Sequence, residues 1–405
     1  MSVHRPAFLL RCLAGAALAT GLLLEGCANV PEVAPAQARA LLDDALFKPP
    51  LEPVDPADVF RMSASMQEYL EQQIVPAARG ANNLRSALTD QLYNRSKLKL
   101  EYESSMTRNA AQAFDARSGN CLSLVIMTAA FAKALGLQVT YQSIGVDEMW
   151  TRSGDMYFLS GHVNLQLERR ASEMASQYDR FSTYTIDFLP EGDSTGMKAT
   201  IIPEKRVLAM YMNNRAAEAL ARGQMDDAYW RVKQALALDP AFLSALNTLG
   251  VVYAHHGDAQ RAVQVFAWLD ERSPNSPRVM SNYAAALRAA GQPVQAQAVQ
   301  QRLAVLEPYP PFYFFNRGRA ALGAGNVIEA REWFKRELDR SPDYHEFHYW
   351  LALADFGLGR IDEARSELKI AMDDAGRRTD HDLYAAKLDK LKAYLQAPVM
   401  PSVTQ

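Results

Sequence analysis

The sequence predicts two folded parts, an α+β domain followed by an all-α solenoid of helical repeats. Two observations lead to this prediction. Beyond Val207, residues of three types recur every 34 positions, which indicates a repeat architecture. Before that point, helical periodicity up to about Arg117 gives way to short β-rich segments between Leu137 and Ile202.

The first 26 residues have the pattern of a secretory signal peptide. Positive charges lie near the start, an apolar stretch follows from Cys12 to Leu24, and the small residue Gly26 comes directly before Cys27. The apolar stretch is too short to span a bilayer comfortably as a helix. We therefore predict that residues 1–26 are removed and take no part in the fold.

The junction Leu24-Glu25-Gly26-Cys27 resembles the lipobox of bacterial lipoproteins. The resemblance implies that Cys27 becomes the acylated first residue of the mature chain and anchors it to a membrane. Ala28 follows in place of the Asp that favours retention in the inner membrane, which implies an outer-membrane lipoprotein facing the periplasm. The alternative is a plain cleaved signal and a soluble periplasmic protein.

Charge and cysteine content narrow the classes of function. The formal net charge is −3, so no overall electrostatic attraction to nucleic acid is predicted. The chain has 3 cysteines: Cys12 in the signal, Cys27 at the junction and Cys121 alone, so no intrachain disulfide is predicted. A lone thiol in an oxidising compartment is either buried and inert or kept for chemistry.

Residues 27–57 are predicted to be a tether, with a short helical piece over residues 36–47. Asp55 and Pro56 then have the residue types of a helix start, and we place the α+β domain at residues 58–205. The prolines that punctuate the tether are Pro31, Pro35, Pro49, Pro50, Pro53 and Pro56.

Proline, glycine and alanine each recur at intervals of 34 residues in the second part of the chain. The three series are Pro240, Pro274, Pro308 and Pro342; Gly223, Gly257, Gly291, Gly325 and Gly359; and Ala228, Ala262, Ala296, Ala330 and Ala364. Small residues allow two helices to approach closely, glycine turns the chain and proline ends the second helix. The spacing therefore predicts a stack of helix pairs.

One unit reads Leu246-x-x-Leu249-Gly250-x-x-Tyr253, and Ala262, Phe266 and Pro274 follow it. This pattern resembles the tetratricopeptide repeat, which implies a groove for a protein or peptide partner. We predict five such repeats over residues 207–378. A polar-faced capping helix is predicted to close the array at residues 379–397.

Cys121 is predicted to lie in the first turn of a buried helix. Ser118-Gly119-Asn120 precede it with residue types that start helices, and apolar residues at helical spacing continue to Leu135, before Gly136. Amide N–H groups and the helix dipole at such a position favour an anion. The position therefore favours a thiolate over an inert buried thiol.

A reactive thiolate also needs a base. His162 is the histidine closest in sequence to Cys121, and it opens a segment of period-two alternation. Asp187 lies between Ile186 and Phe188, so it should point away from their apolar side. Asp187 could then accept from one ring nitrogen of His162 and leave the other nitrogen for Cys121.

These motifs resemble the transglutaminase-like superfamily over about residues 85–202. The matching motifs are Gly119-x-Cys121, Ala132-x-Ala134-Leu135-Gly136-Leu137, Gly161-His162 and Ile186-Asp187. The resemblance implies a papain-like α+β fold in which Cys121 is the nucleophile, His162 the base and Asp187 the residue that orients it. One position departs from the family: Val163-Asn164 follow His162 where an aromatic residue is common.

Three other groups of residues carry weaker signals. His255-His256 precede a predicted turn and are interpreted as solvated. His345 and His348 lie one helical turn apart, but two ligands without a third favour packing over a metal site. The aromatic run from Tyr309 to Phe315 is interpreted as packing between repeats, with a peptide-contacting patch as the alternative. We predict neither a metal nor a cofactor.

Two functions therefore compete. In the first, Cys121, His162 and Asp187 transfer an acyl group from a peptide or amide to water or to an amine, as a peptidase, an amidase or a transglutaminase-like acyltransferase does. The backbone N–H of Cys121 is one donor to the oxyanion, and the sequence does not identify a second. In the second, the chain is a non-catalytic scaffold for envelope assembly, with an inactive transglutaminase-like domain.

Overall fold

The computed structural model of the chain describes residues 35–81, 84–94, 96–98, 100–104, 106–153, 156–168, 184–188, 198–375 and 378–396. The predicted signal peptide, Cys27 and the first part of the predicted tether lie outside these residues. Side chains within 146–160, at 80 and 81, and at 394–396 are not described.

Helices come first in the described chain. They are α1 (Pro35–Ala40), α2 (Ala64–Tyr69), α3 (Val75–Ala81), α4 (Leu84–Tyr93), α5 (Ala110–Ala116) and α6 (Cys121–Ala134). A π-helical turn, Leu70–Ile74, joins α2 to α3, and Met66 and Ile74 are both buried on the same side of this unit.

The helix predicted to begin at Asp55 begins later. The carboxylate of Asp55 caps only the 3-10 helix Pro56–Asp58, and Ser63 caps α2, accepting from the N–H of Met66 at 3.3 Å. The carbonyl of Val59 instead accepts from the N–H of Ala110 at 3.0 Å. This long-range bond and the burial of Val59 stop the first helix after one turn.

Strands in the described residues form two sheets. The short strands β1 (Glu101–Tyr102) and β2 (Ser118–Gly119) pair in parallel. A second sheet has the order β5-β4-β3-β6 and is antiparallel throughout. Its strands are β3 (Gln138–Ser153), β4 (Met156–Glu168), β5 (Tyr184–Ile186) and β6 (Ala199–Ile202). Helix α6, buried over most of its length, packs against β3 and β4.

Residues 198–375, described without a gap, contain five consecutive helix pairs. The pairs are α7 (Glu204–Ala221) with α8 (Met225–Leu238), α9 (Leu243–His256) with α10 (Ala259–Arg272), α11 (Pro277–Ala289) with α12 (Pro293–Leu306), α13 (Tyr313–Gly323) with α14 (Val327–Leu338), and α15 (His345–Gly357) with α16 (Ile361–Asp373). The five glycines of the 34-residue series have φ between 74° and 96°, a backbone region that glycine enters without strain. The five alanines of the series are at most 1 % exposed.

Two glycines set how closely the helices of a pair approach. An added Cβ at Gly250 would lie 2.5 Å from Cζ of Phe266, and one at Gly318 would lie 2.5 Å from Cε1 of Phe334. Both rings are at most 1 % exposed, so neither can move aside into solvent. The glycines at these positions are therefore required by close packing.

We expect Gly250→Ala to lower the free energy of unfolding by about 1–3 kcal/mol, because the methyl group overpacks a closed helix pair. Gly323→Ala is the matched control, since an added Cβ there meets nothing within 4 Å. The control should be neutral or gain up to about 1 kcal/mol of helix propensity. Urea unfolding of both variants measures the difference, and equal stabilities would contradict the close approach.

A last helix, α17 (Arg378–Gln396), covers the end of the array. It buries Tyr384, Leu388 and Leu391, and the two leucines join a cluster with residues of α15 and α16. The imidazole Nδ1 of His345 lies 2.8 Å from the hydroxyl of Tyr384. Helix α17 thus packs its apolar residues against the last helix pair.

Residues 35–57, here called the strap, lie against the first two helix pairs. The N–H of Lys48 donates to Asp226 at 2.9 Å, and the N–H of Leu51 donates to Asp227 at 2.8 Å. Both carboxylates belong to the first turn of α8, where they also face the positive end of the helix dipole. The predicted tether is thus docked in its described part by specific backbone contacts.

Phe47 is the apolar centre of this docking. Its ring stacks on Tyr229 with centroids 4.0 Å apart and also contacts Tyr253 and His256. The residue is 6 % exposed, and Tyr253 donates its hydroxyl to the carbonyl of Leu41 at 2.8 Å. The strap therefore contributes to the core of the repeats.

One hydrophobic cluster runs from α1 through the sheet into α11, so no gap in packing separates the two predicted domains. Helix α7 begins only two residues after β6 ends. The carboxylate of Glu204 in its first turn accepts from the hydroxyl of Tyr141 on β3 at 2.9 Å. Within the described residues, no helix is long and apolar enough to cross a membrane.

Candidate functional site

Cys121 is the first residue of α6, as the sequence predicts. Asn120 caps the helix: its Oδ1 accepts from the N–H of Ser123 at 2.9 Å and from the hydroxyl of Ser123 at 2.8 Å. Its Nδ2 donates to Oγ1 of Thr107 at 2.9 Å. The N–H groups of Cys121 and Leu122, which precede the capped amide of Ser123, have no acceptor within the helix, so they can bind a developing anion beside the sulfur.

The loop before α5 is held from the side of the repeats. Glu218 of α7 accepts from the N–H of Thr107 at 2.6 Å, and Arg215 binds the other oxygen of Glu218 at 2.9 Å. Because Thr107 in turn binds Asn120, a chain of direct hydrogen bonds connects the first repeat to the cap beside Cys121. The first repeat therefore helps to position the start of α6.

His162 lies on β4, and Asp187 directly follows β5. The Nε2 of His162 and Oδ1 of Asp187 are 2.5 Å apart. Asn164, two residues along β4 and on the same face as His162, donates to Oδ2 of Asp187 at 2.9 Å. Register explains the grouping, since Leu165 pairs with Ile186 and this places Asn164 across from Asp187.

The charge state of His162 follows from its surroundings. Burial alone lowers the pKa of this imidazole, but the hydrogen bond with Asp187 and the interaction with the Cys121 thiol outweigh it and raise the pKa to about 9. Nδ1, the nitrogen left for the thiol, is buried and has no hydrogen-bond partner of good geometry. The thiol is thus near enough to interact with the ring, and contacts of this kind often tighten only when substrate binds.

The raised pKa also couples His162 to stability. A group whose pKa rises from 6.5 to about 9 on folding stabilises the folded state fully below pH 6.5. That contribution is lost as the pH rises through 9. His348 adds in the same sense: burial lowers its pKa, but Glu367 and the carbonyl of Pro342 raise it overall.

The structure thus brings Cys121, His162 and Asp187 together and adds two residues that the sequence reasoning missed. Asn164 orients Asp187, and a period-two projection from His162 along the strand could have found it. Tyr102 interacts with Cys121, because the thiolate charge contributes to raising the pKa of this phenol after burial. No sequence signal near Tyr102 indicates that the two residues are near each other.

The other histidines considered in the sequence analysis either pack inside the protein or face solvent. His348 is 8 % exposed, with Nδ1 at 2.6 Å from Glu367 and Nε2 at 2.6 Å from the carbonyl of Pro342. His255 and His256 are exposed at the end of α9. Among the described residues, no group of three or more His, Cys, Asp or Glu side chains is arranged to hold a metal ion.

The aromatic run has two roles. Phe312 and Phe315 are buried, and the ring of Phe312 meets Phe347 of the next repeat edge-on at 5.2 Å. Tyr313, by contrast, lines a groove of about 480 Å³ on the repeats. The groove is bordered by Pro277, Arg278, Ser281, Leu303, Glu307, Pro310, Pro311, Tyr313, Asn316, Arg317 and Ala320.

No curated protein matches this sequence. Among solved structures, TTC0263 of Thermus thermophilus, a thermophilic TPR protein, is 22% identical; the match covers 44% of this chain and 98% of that one, with a TM-score of 0.29. Pseudomonas aeruginosa PilF is 18% identical over 48% of this chain and 88% of its own, with a TM-score of 0.29. YrrB, described as a TPR protein with an unusual peptide-binding site, is 20% identical over 44% of this chain and 92% of its own, with a TM-score of 0.24.

The repeats also match a family model directly. Residues 213–277 and 315–375 fit the model of the tetratricopeptide repeat. These two ranges lie within the array of helix pairs whose glycines and alanines keep the 34-residue period. The carboxy-terminal part of this chain therefore consists of tetratricopeptide repeats.

Proposed function

We propose that the chain is an envelope lipoprotein that performs thiol acyl transfer on a peptide or amide, while its repeats bind a protein or peptide partner. The observation that supports this proposal is the arrangement of Cys121, His162 and Asp187. A cysteine starts a buried helix, beside a histidine whose far nitrogen is 2.5 Å from a carboxylate. In space, the base thus lies between the nucleophile and the orienting group, as acyl transfer requires.

In this mechanism Asp187 holds the proton on Nε2 of His162, so that Nδ1 serves Cys121. The proton that Cys121 and His162 share lies on Nδ1 when the sulfur attacks the carbonyl carbon and forms a tetrahedral intermediate. The C–N bond then breaks as Nδ1 returns its proton to the leaving amine, which leaves a thioester on Cys121. Water or a second amine attacks the thioester, gives its proton to Nδ1 and releases the sulfur.

Turnover tests the proposal without knowledge of the natural substrate. Wild-type protein is incubated with casein and a fluorescent primary amine, and separately with a library of quenched fluorescent peptides. We expect amine incorporation or peptide cleavage by the wild type and neither by Cys121→Ala, which retains the fold. Equal signals from the two proteins would refute a role for Cys121.

The second candidate is the non-catalytic scaffold, and the matched repeats favour it. Proteins built from these repeats bind protein or peptide partners, and the groove beside Tyr313 has the volume of an ordinary ligand-binding cleft. The charged residues on its border are Arg278, Arg317 and Glu307, and this net positive charge favours a segment with an acidic side chain. A partner that binds Cys121→Ala as tightly as wild type, with no turnover by either protein, would establish this alternative.

The lipid anchor is a separate part of the proposal, supported by the residues around Cys27. Metabolic labelling with a fatty-acid analogue should mark the wild type in the outer-membrane fraction and leave Cys27→Ser unmarked. Cys12→Ser is the control, because this cysteine lies in the predicted signal. Loss of label from the control, or equal label on Cys27→Ser, would rule out acylation at Cys27.

A further inference from the structure

We propose that the hydroxyl of Tyr102 is the second hydrogen-bond donor to the oxyanion that forms when Cys121 attacks a carbonyl carbon. The inference rests on the acyl-transfer function proposed above and assigns one further residue to it. The first donor is the backbone N–H of Cys121 at the start of α6. A second donor on a different element would bind the same oxygen from another side and so hold it in place.

The pairing of β1 with β2 determines where Tyr102 points. Tyr102 is in register with Gly119, and the N–H of Glu103 donates to the carbonyl of Gly119 at 3.1 Å. Register partners project to the same face of a sheet. A Cβ at Gly119 would lie 2.7 Å from Cβ of Ser123, so the Tyr102 side chain leaves β1 on the face that meets the first turn of α6, the turn that Cys121 begins.

The chemical state of Tyr102 suits a donor. Partial burial and then the nearby Cys121 thiolate raise the pKa of this phenol well above its usual value. The hydroxyl therefore keeps its proton over the whole pH range in which a thiolate reacts. The residue is also 45 % exposed, so a substrate carbonyl can reach it.

Arg108 is the obvious competing donor, and its surroundings exclude it. This arginine lies in the loop before α5, but its guanidinium is bound to Glu103 at 2.8 Å and is directed at the carbonyl of Ser118 at 3.5 Å. Glu103 in turn accepts from the hydroxyl of Ser118 at 3.2 Å. Arg108 is thus engaged in fixing β1 to β2, which supports the placement of Tyr102.

Two reagents separate a donor to the oxyanion from a residue that merely positions the thiol. The protein is the full chain with Cys12→Ser and Cys27→Ser, which leaves Cys121 as its only cysteine. With p-nitrophenyl acetate, the sulfur bonds to the carbonyl carbon, an oxyanion forms, and p-nitrophenolate leaves and is measured by absorbance. With iodoacetamide, the sulfur displaces iodide from a saturated carbon, and no oxyanion forms.

We expect Tyr102→Phe to slow acylation by p-nitrophenyl acetate about a hundredfold and to change alkylation by iodoacetamide less than about twofold. Tyr184→Phe, on strand β5, is the matched control and should leave both rates unchanged. An equal fall in both rates, or wild-type acylation by Tyr102→Phe, would overturn the assignment and leave the proposed function intact. A wild-type Cys121 that reacts with neither reagent would overturn both.

Discussion

Replacing Phe47 with alanine is expected to lower the free energy of unfolding by about 3–5 kcal/mol, although this residue lies in a segment predicted to be a tether. The ring is 6 % exposed and stacks on Tyr229 at 4.0 Å. Its removal leaves a cavity between the strap and the first two repeats, because Tyr253 and His256 border the same ring from other sides. A loss of this size is a large fraction of the stability of an ordinary domain.

Leu51→Ala is the control for that prediction, since Leu51 belongs to the same strap but is 82 % exposed. Urea unfolding followed by circular dichroism should show a clear shift for Phe47→Ala and almost none for Leu51→Ala. Two equal and small effects would mean that the strap does not dock on the repeats in solution.

The strap and the sheet also form part of the core on which the first repeats pack. A fragment that begins at Val207 lacks the strap and the sheet, both of which share a cluster with α7 and α8. Asp226 and Asp227 would also lose the backbone N–H groups that they bind. The domain boundary drawn from the 34-residue period therefore marks a change of architecture within a shared core.

The repeats could be predicted from the sequence because every unit has the same residue types at the same positions. A glycine with positive φ, a buried alanine and a terminal proline recur, and each is required by its own helix pair. The docking of Phe47 could not be predicted. Its partners Tyr229 and Tyr253 lie far along the chain, and no periodic pattern connects Phe47 to them. Proline content alone favoured a free tether.

The candidate site could likewise be predicted only in part. Cys121 starts a helix and Asp187 directly follows a strand, and local patterns indicate both positions. His162 lies within β4, although the sequence pattern has the strand segment open at this residue. Tyr102 and Glu218 reach the site only through strand pairing and through the contact between α7 and the loop before α5. Their contributions depend on tertiary structure, for which a single sequence gives no signal.

The central claim concerns the thiol of Cys121 and its charged neighbour. With its pKa raised to about 9, His162 stays protonated at neutral pH, and the positive ring favours a thiolate on Cys121. A free thiol without such a partner ionises only near pH 8.5, so about 1% is thiolate at pH 6.5. We therefore expect His162→Ala to slow alkylation of Cys121 about tenfold to a hundredfold at pH 6.5, allowing for the greater intrinsic nucleophilicity of a more basic thiolate.

The difference should depend on pH in a defined direction. Above pH 9 the ring of His162 loses its charge in the wild type and no longer favours the thiolate over the thiol. The two alkylation rates should therefore converge at high pH. Asp187→Asn should show a smaller effect of the same sign, because this residue acts on His162 and not on the sulfur.

The rate of iodoacetamide alkylation of Cys121, measured from pH 5 to 10 in the full chain with Cys12→Ser and Cys27→Ser, tests the account most directly. The account predicts a wild-type rate that persists well below pH 8.5 and a profile for His162→Ala that moves to higher pH. Alkylation that occurs only after the protein is unfolded would contradict the account. Cys121 would then be an inert buried thiol, and the partner-binding repeats would remain as the functional part of the chain.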